Sequence, residues 1–245
     1  MDSWYHICKF LSKVQNKQVV IISSHADDHV MFAGTLFKLQ HQGYELSEIV
    51  LTTSHEGVDK RTGAENHSPQ ALRELRASEF DKASKFLGLK HKYFFNEEDL
   101  NLRYSKHIML GVVQVIRELQ PEIVITLHKS DYHRDHRAAA RITREAVFCS
   151  ATGIRKDLGL AHRTPTTLYS EGLQPQKIDV LVDVTPFHQK KLDLFSLYDS
   201  QADEETMAIL KSLMITRGYH LNNRETIEYA EGFALESDFP NIMFG

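Results

Sequence analysis

Short, mostly apolar strand-like runs alternate along the first 150 residues with stretches whose apolar side chains recur at helical spacing. Val19-Val20-Ile21-Ile22 is the first run; Ile49-Val50-Leu51, Lys92-Tyr93-Phe94-Phe95 and Ile123-Val124-Ile125-Thr126-Leu127 follow. A strand that is apolar on both faces suits a parallel sheet covered by helices on each side. Between these runs, residues 30–42, 71–86, 104–119 and 134–148 read as helices. Gly43 and Gly88 stand where helix C-terminal caps belong, and Pro121 halts the third helix. The order βαβαβαβα predicts an α/β chain with a mostly parallel sheet and helices on both faces. After Ser150 the pattern changes. Strands are expected at 166–169 and 178–184, helices at 186–200 and 203–218, and a short strand near Phe233. This reads as a C-terminal α/β elaboration of one domain spanning 1–245. The polar stretch 54–69, with Gly57 and Gly63, reads as a loop.

Composition excludes more than it proposes. Lys plus Arg total 29 against 33 Asp plus Glu, and no basic stripe suggests nucleic acid as a partner. Lys190-Lys191 reads as a short solvated patch. Cys8 and Cys149 are far apart with no C-x-x-C, so a disulfide framework is not expected and a reducing compartment is. The start Met1-Asp2-Ser3-Trp4-Tyr5-His6 lacks signal-peptide character, and no run approaches the ~18 apolar residues of a membrane span. A soluble cytoplasmic protein with no membrane partner is the expectation.

Chemistry concentrates in two segments, Ser24-His25-Ala26-Asp27-Asp28-His29 and Asp131-Tyr132-His133-Arg134-Asp135-His136. Each follows one of the two most strand-like runs. Ligands in open parallel sheets bind outside the carboxyl ends of strands, so the two segments are expected to be neighbours. His25 and Asp28 are three apart across a loop-to-helix turn, and His133 and His136 are three apart at a helix start, so each pair can face one point. Zinc accepts His nitrogen and carboxylate oxygen, and a catalytic site takes three protein ligands and leaves one position for water. Four or five candidates exist for those three places. A His, Asp, His set lowers the pKa of bound water toward ~7. A second carboxylate, from the Asp27-Asp28 pair, can then serve as general base, and a spare imidazole can stabilise an oxyanion. Asp135 can orient a histidine from outside the ligand set. Ser23 and Ser24 raise a serine-hydrolase reading, but no G-x-S-x-G elbow supports it. Cys149 reads as buried filler.

These residues resemble the PIG-L/LmbE-like zinc-dependent N-deacetylases, whose signatures are H-P-D-D-E after the first strand and D-x-H-x-D-H after a later one. The similarity extends to Arg76-Ala77-Ser78-Glu79 with Leu87-Gly88, to Thr52-Thr53-Ser54-His55-Glu56-Gly57, to Ser200-Gln201 and to Tyr229-Ala230-Glu231-Gly232-Phe233. It covers nearly the whole chain, and its two metal motifs are specific as a pair. The resemblance implies a Rossmann-like fold and one Zn2+ held by His25, Asp28 and His136, with Fe2+ able to use the same ligands. It implies Asp27 as general base, His133 on the amide carbonyl and oxyanion, Asp135 supporting a histidine, and Arg76 binding substrate hydroxyls. Arg73, on nearly the same face, is an alternative to Arg76, and an ion pair with Glu79 or Glu74 is the plain reading of Arg76. Some members complete the site with a late histidine, sometimes from a neighbouring subunit, which makes His220 a substrate-binding candidate and a homo-oligomer an expectation. His55, His67, His128, His162 and His188 read as ordinary surface or loop histidines.

Two positions depart from the pattern. Ala26 replaces the usual Pro, and His29 replaces the usual Glu; His29 either faces the cleft as an extra imidazole or packs away from it. The implied reaction is hydrolysis of an N-acetyl group from a GlcNAc-type sugar or conjugate, a small-molecule substrate. The alternatives are a deacylase of a non-sugar N-acyl compound and a non-catalytic sugar-binding relative. Asp27 argues against the last, because a pure binder has no use for a base.

Overall fold

The computed structural model describes residues 16–56, 58–61, 68–221 and 226–236. Cys8, Gly57, Gly63 and His67 lie outside them. The strands are β1 (Gln18–Ser23), β2 (Glu45–Thr52), β3 (Leu89–Glu97), β4 (Ile123–Leu127), β5 (Thr166–Ser170), β6 (Val180–Asp183) and β7 (Ala230–Leu235). The helices are α1 (Ala33–His41), α2 (Pro69–Leu87), α3 (Lys106–Leu119), α4 (Arg134–Ser150), α5 (His188–Phe195) and α6 (Glu204–His220). The strands form one seven-stranded sheet in the order β3-β2-β1-β4-β5-β7-β6. The first five run parallel, and β7 is antiparallel to both β5 and β6.

This order places a topological switch between β1 and β4. The chain steps outward from β1 to β3, then returns to lay β4 against the other side of β1, with Ile22 opposite Thr126. The carboxyl ends of β1 and β4 therefore lie side by side, and the loops leaving them diverge to opposite faces. A crevice between such loops is where doubly wound sheets bind ligands.

The core divides by strand alternation. Val19 and Ile21 pack with Phe32, Leu36, Phe80, Leu194 and Phe233 on one face. Val20 and Ile22 pack with Val112, Ile116, Ala139 and Ile142 of α3 and α4 on the other. The expected helices on both faces are thus observed.

Local chemistry sets the element ends. Ser68 caps α2 by accepting from Ala71 N–H, with Pro69 in the first turn, and Gly88 closes the helix at φ +71°. β3 then begins at once, earlier than its apolar core suggests; as an edge strand with Lys90, His91 and Lys92 exposed, it carries little apolar pattern. The helix expected at 30–42 begins only at Ala33, after a 3₁₀ turn over Asp28–Phe32. The reason is a cap from a distant strand: Glu231 of β7 accepts from Gly34 N–H at 3.0 Å, Thr35 N–H at 2.7 Å and Thr35 Oγ1 at 2.6 Å. A carboxylate on the first-turn amides is favoured by the helix dipole as well.

Several expectations need correction. Lys191 is not part of a solvated patch. It is 2% exposed, and its ammonium donates to Glu231 at 2.8 Å and to the Met31 carbonyl at 2.7 Å. The hydrophobic neighbourhood of α5 leaves it no route to water. The helix expected at 186–200 stops at Phe195, because Tyr198 and Ser200 turn inward to bond Ala26 and Glu79. Cys149 is only half-buried, since the last turn of α4 emerges from the core. His128 is buried, where its Nδ1 accepts from Ser130 N–H.

Arg117, near the end of α3, is buried. Its guanidinium donates to the carbonyls of Cys149, Ser150, Thr152, Ile154, Arg155 and Gly159. These belong to the last turn of α4 and the loop after it, where unpaired carbonyls and the negative end of the helix favour a cation. Among the described residues, no helix is long and apolar enough to cross a membrane.

Candidate metal centre

The loop leaving β1 makes a tight turn in which Asp28 N–H bonds back to the His25 carbonyl. Asp27 occupies its third position at φ −105°, ψ −3°, the bridge conformation of a type I turn and one frequent in active sites. Asp28 Oδ2 accepts from Ser24 N–H at 2.7 Å and His25 N–H at 2.8 Å, which fixes the carboxylate and leaves Oδ1 facing the crevice.

That oxygen lies 3.4 Å from His25 Nδ1 and 3.1 Å from His136 Nε2. Bonds of 2.0–2.1 Å to a tetrahedral ion require ligand atoms about 3.3 Å apart, so these separations fit the edges of a zinc-type site. The far nitrogens are backed by carboxylates. His25 Nε2 lies 3.0 Å from Asp99 Oδ1 and 3.5 Å from Asp135 Oδ2, and His136 Nδ1 lies 3.0 Å from Asp131 Oδ2. Metal-binding histidines have this outer carboxylate as a rule, because it fixes the tautomer that presents a lone pair to the ion. Both histidines are almost fully buried.

The electrostatics describe a cavity that demands positive charge. Burial alone lowers a histidine, yet Asp28, Asp135 and Asp99 outweigh it and hold His25 well above the ordinary value. His136 is held up at about 9, against burial, by Asp28 and Asp131. Burial raises Asp28, but His136 and His25 drive it well below the carboxylate range. Asp99 falls to about 2 despite burial, through His25 and the N–H groups of Glu56 and Leu100. The residues present fit a divalent cation: His25, His133 and His136 form one group of candidate ligand atoms within 4.8 Å of one another, His25, Asp99 and Asp135 a second, and Asp28 Oδ1 stands beside both His25 and His136.

His133 stands apart electrostatically. It is the N-terminal cap of α4, where its Nδ1 accepts from Asp135 N–H at 3.2 Å. The proton is thus placed on Nε2, which can donate into the crevice. Burial, then the neighbouring His25 and His136, lower its pKa and favour the neutral ring. Its ring centre lies 4.7 Å from those of both His25 and His136, so it belongs to the same cluster.

Asp27 is the exposed member of the carboxylate pair, 21% accessible at its side chain. It accepts from Arg76 at 2.6 Å. Arg76 of α2 is buried, with Glu79 Oε2 3.8 Å away, and its Nε and second terminal nitrogen have no hydrogen-bond partner among the described residues. Arg73 is exposed and bonds Asn96 instead. His220, exposed at the end of α6, lies 3.3 Å from Arg217, which pairs with Glu171; it is not among the residues gathered around His25. His29 is fully buried between Glu48 and Tyr198, so it packs inward and does not face the crevice.

Two members of the site escaped sequence reading. Asp131 was visible inside a motif but had no role until His136 was seen against it. Asp99 follows β3, and the strand-end rule that found the other loops would have found it in Glu97-Glu98-Asp99. Leu100, beside it at φ +57°, donates its N–H to Asp99 and to Asp135 at 2.8 Å each, tying the two loops together.

Known proteins resemble this one along nearly its full length. A 4-oxalmesaconate hydratase of Pseudomonas putida is 25% identical over 241 residues, covering 92% of this chain and 91% of the relative. A diacetylchitobiose deacetylase of Thermococcus kodakarensis is 26% identical over 222 residues, covering 88% and 82%. Among solved structures, a 4-carboxy-2-hydroxymuconate hydratase from Pseudomonas putida superposes with a TM-score of 0.82 at 22% identity, over 93% of this chain and 98% of that one. The N,N'-diacetylchitobiose deacetylase of Pyrococcus horikoshii gives 0.79 at 21% identity, over 96% and 94%. The PIG-L family, described as GlcNAc-PI de-N-acetylase, matches residues 20–147, which hold both histidine–aspartate loops. The chain belongs to the PIG-L family, an enzyme family whose members include N-deacetylating hydrolases.

Proposed function

We propose that this protein is a zinc-dependent hydrolase that removes an N-acetyl group from an N-acetylglucosamine-type sugar or conjugate. The observation that supports it most is the placement of Asp27 beside a complete ligand set. Asp27 is accessible and oriented by Arg76, while Asp28 faces the two histidines. His25, Asp28 and His136 would hold the metal, which when bound supplies Lewis acidity and an acidified water. Asp27 takes a proton from the attacking water as oxygen adds to the acetyl carbon. His133 donates its Nε2–H to the carbonyl oxygen as that oxygen gains charge. Asp27 then passes its proton to the amine nitrogen as the C–N bond breaks, giving acetate and a free amine. Arg76, held on Asp27, keeps the base aimed. His220 would act at the outer rim.

The full-length similarity to a hydratase supports a second reading, addition of water to a conjugated anionic acid. The family description, GlcNAc-PI de-N-acetylase, and the full-length similarity to a diacetylchitobiose deacetylase support the first.

Acetate release from a panel of N-acetyl sugars and N-acyl amines, set beside loss of conjugated absorbance with 4-oxalmesaconate, separates the readings. With the active substrate, Asp27→Asn is expected to keep the metal and lose on the order of 10²–10⁴-fold in kcat. Full turnover by that variant refutes the assignment.

A further inference from the structure

The two departures from the family pattern, Ala26 and His29, meet in one buried network. Ala26 sits at the second position of the β1 turn, where proline is otherwise at home. Unlike proline it has an N–H, which donates to Ser54 Oγ at 2.9 Å. Ser54 holds φ +55°, a left-handed conformation that a serine adopts only when its surroundings fix it. On the other side of the same residue, the Ala26 carbonyl accepts from the Tyr198 hydroxyl at 2.5 Å.

Tyr198 is held in turn. Its oxygen is 3.1 Å from His29 Nε2, His29 Nδ1 is 2.8 Å from Glu48 Oε2, and Glu48 Oε1 accepts from Ser23 Oγ at 2.6 Å. Ser23, His29, Glu48 and Tyr198 are all fully buried. The proton count fixes the direction of these bonds. A carbonyl only accepts, so the single Tyr198 hydrogen points at Ala26. His29 Nε2 must then donate to Tyr198, and one further proton joins His29 Nδ1 to Glu48. Every polar atom of the chain Ser23–Glu48–His29–Tyr198–Ala26 is satisfied in only this sense. Arg76, which orients Asp27, lies over the Tyr198 ring at 5.8 Å.

We infer that Ser54 and Tyr198, the latter backed by His29 and Glu48, are positioning residues that clamp both sides of Ala26 and so fix the angle between His25 and the base Asp27. Without proline's ring at this turn position, the chain holds it with two hydrogen bonds from the core. The inference rests on the role proposed above for Asp27.

The test compares zinc-loaded wild type with Tyr198→Phe, Ser54→Gly and Glu48→Gln, using the N-acetyl compound that the panel shows to be turned over fastest. Tyr198→Phe is expected to lower kcat about 10–100-fold, the cost of a misplaced catalytic group, with KM and zinc stoichiometry unchanged. Ser54→Gly, which relieves the left-handed strain while removing the acceptor, is expected to lower kcat in the same direction without lowering the melting temperature. It also serves if Tyr198→Phe does not fold. Glu48→Gln can carry the same chain of bonds, with its amide donating to His29 Nδ1, and is expected to stay within about threefold of wild-type kcat. Wild-type kcat in Tyr198→Phe or, should that variant not fold, in Ser54→Gly overturns the inference. So does a loss confined to KM, or one that vanishes on normalising to folded, zinc-loaded protein. If the wild type turns over no N-acetyl substrate, the proposed function fails. Crystal structures of wild type and the folded variant then decide the clamp: a shifted Asp27 carboxylate supports it, and superposition of residues 25–28 overturns it.

Discussion

Asp131 offers the sharpest test of the metal centre, because its two oxygens do different things. Oδ2 lies 3.0 Å from His136 Nδ1, and Oδ1 accepts from His133 N–H at 2.8 Å. Both partners are donors when His136 presents the Nε2 lone pair to an ion, so the residue must offer two acceptors. Asp131→Asn offers one. With its amide nitrogen toward His136, it forces the ring proton onto Nε2 and blocks the ligand; flipped, it sets NH2 against the His133 N–H. The first arrangement removes the lone pair a metal needs, and the second leaves a buried donor facing a donor, at about 1–3 kcal/mol. Loss of an outer partner typically weakens metal binding 10–100-fold, about 1.4–2.8 kcal/mol. Asp131→Asn is therefore expected to bind zinc 10–100-fold more weakly than wild type, and no better than Asp131→Ala despite its closer shape. Competition against a chromophoric chelator measures this directly. Affinity within threefold of wild type for the asparagine variant would refute the assignment of His136 Nε2 as a ligand.

Two further outcomes follow from the same contacts. Glu231→Ala strips a buried ammonium of its carboxylate and α1 of its cap, and is expected to cost about 3–5 kcal/mol in urea denaturation; adding Lys191→Met should recover much of that, and a cost under 1 kcal/mol would show the pair to be incidental. Chelation should lower the melting temperature, since at a thousandfold excess over Kd the metal contributes about 4 kcal/mol, roughly 8–16 °C for a chain of this size. An unchanged melting curve on adding EDTA, with zinc shown to leave, would contradict a cation site built by these carboxylates.

What could be read from the sequence was whatever is local. Val19 to Ile22 and Ile123 to Leu127 announce buried parallel strands by being apolar throughout, and Gly88 and Pro121 end helices through their own backbones. The histidine and aspartate spacings predicted that His25 would face Asp28 and His133 would face His136, because residues three apart across one turn can share a side, and the structure brings each pair together. The parts that stayed hidden depend on elements far apart in the chain. Nothing near His29 indicates that Glu48 and Tyr198 will enclose it, and nothing near Lys191 indicates Glu231. Asp99 stayed hidden because nothing near it in the sequence shows that its carboxylate will lie 3.0 Å from His25, in the loop after β1.

Arg117 gives α4 a property that neither the helix nor its loop would have separately. The 17 residues of α4 span about 25 Å at 1.5 Å per residue. One end carries His133 and His136 into the crevice; the other is riveted by a guanidinium to carbonyls on and beyond its last turn. The helix is thus a strut of set length between two anchorages. Adding or deleting a single residue within it would rotate one end against the other by about 100°, so either the histidines or the rivet would be lost. Change in this stretch of the chain can swap side chains but not alter its count.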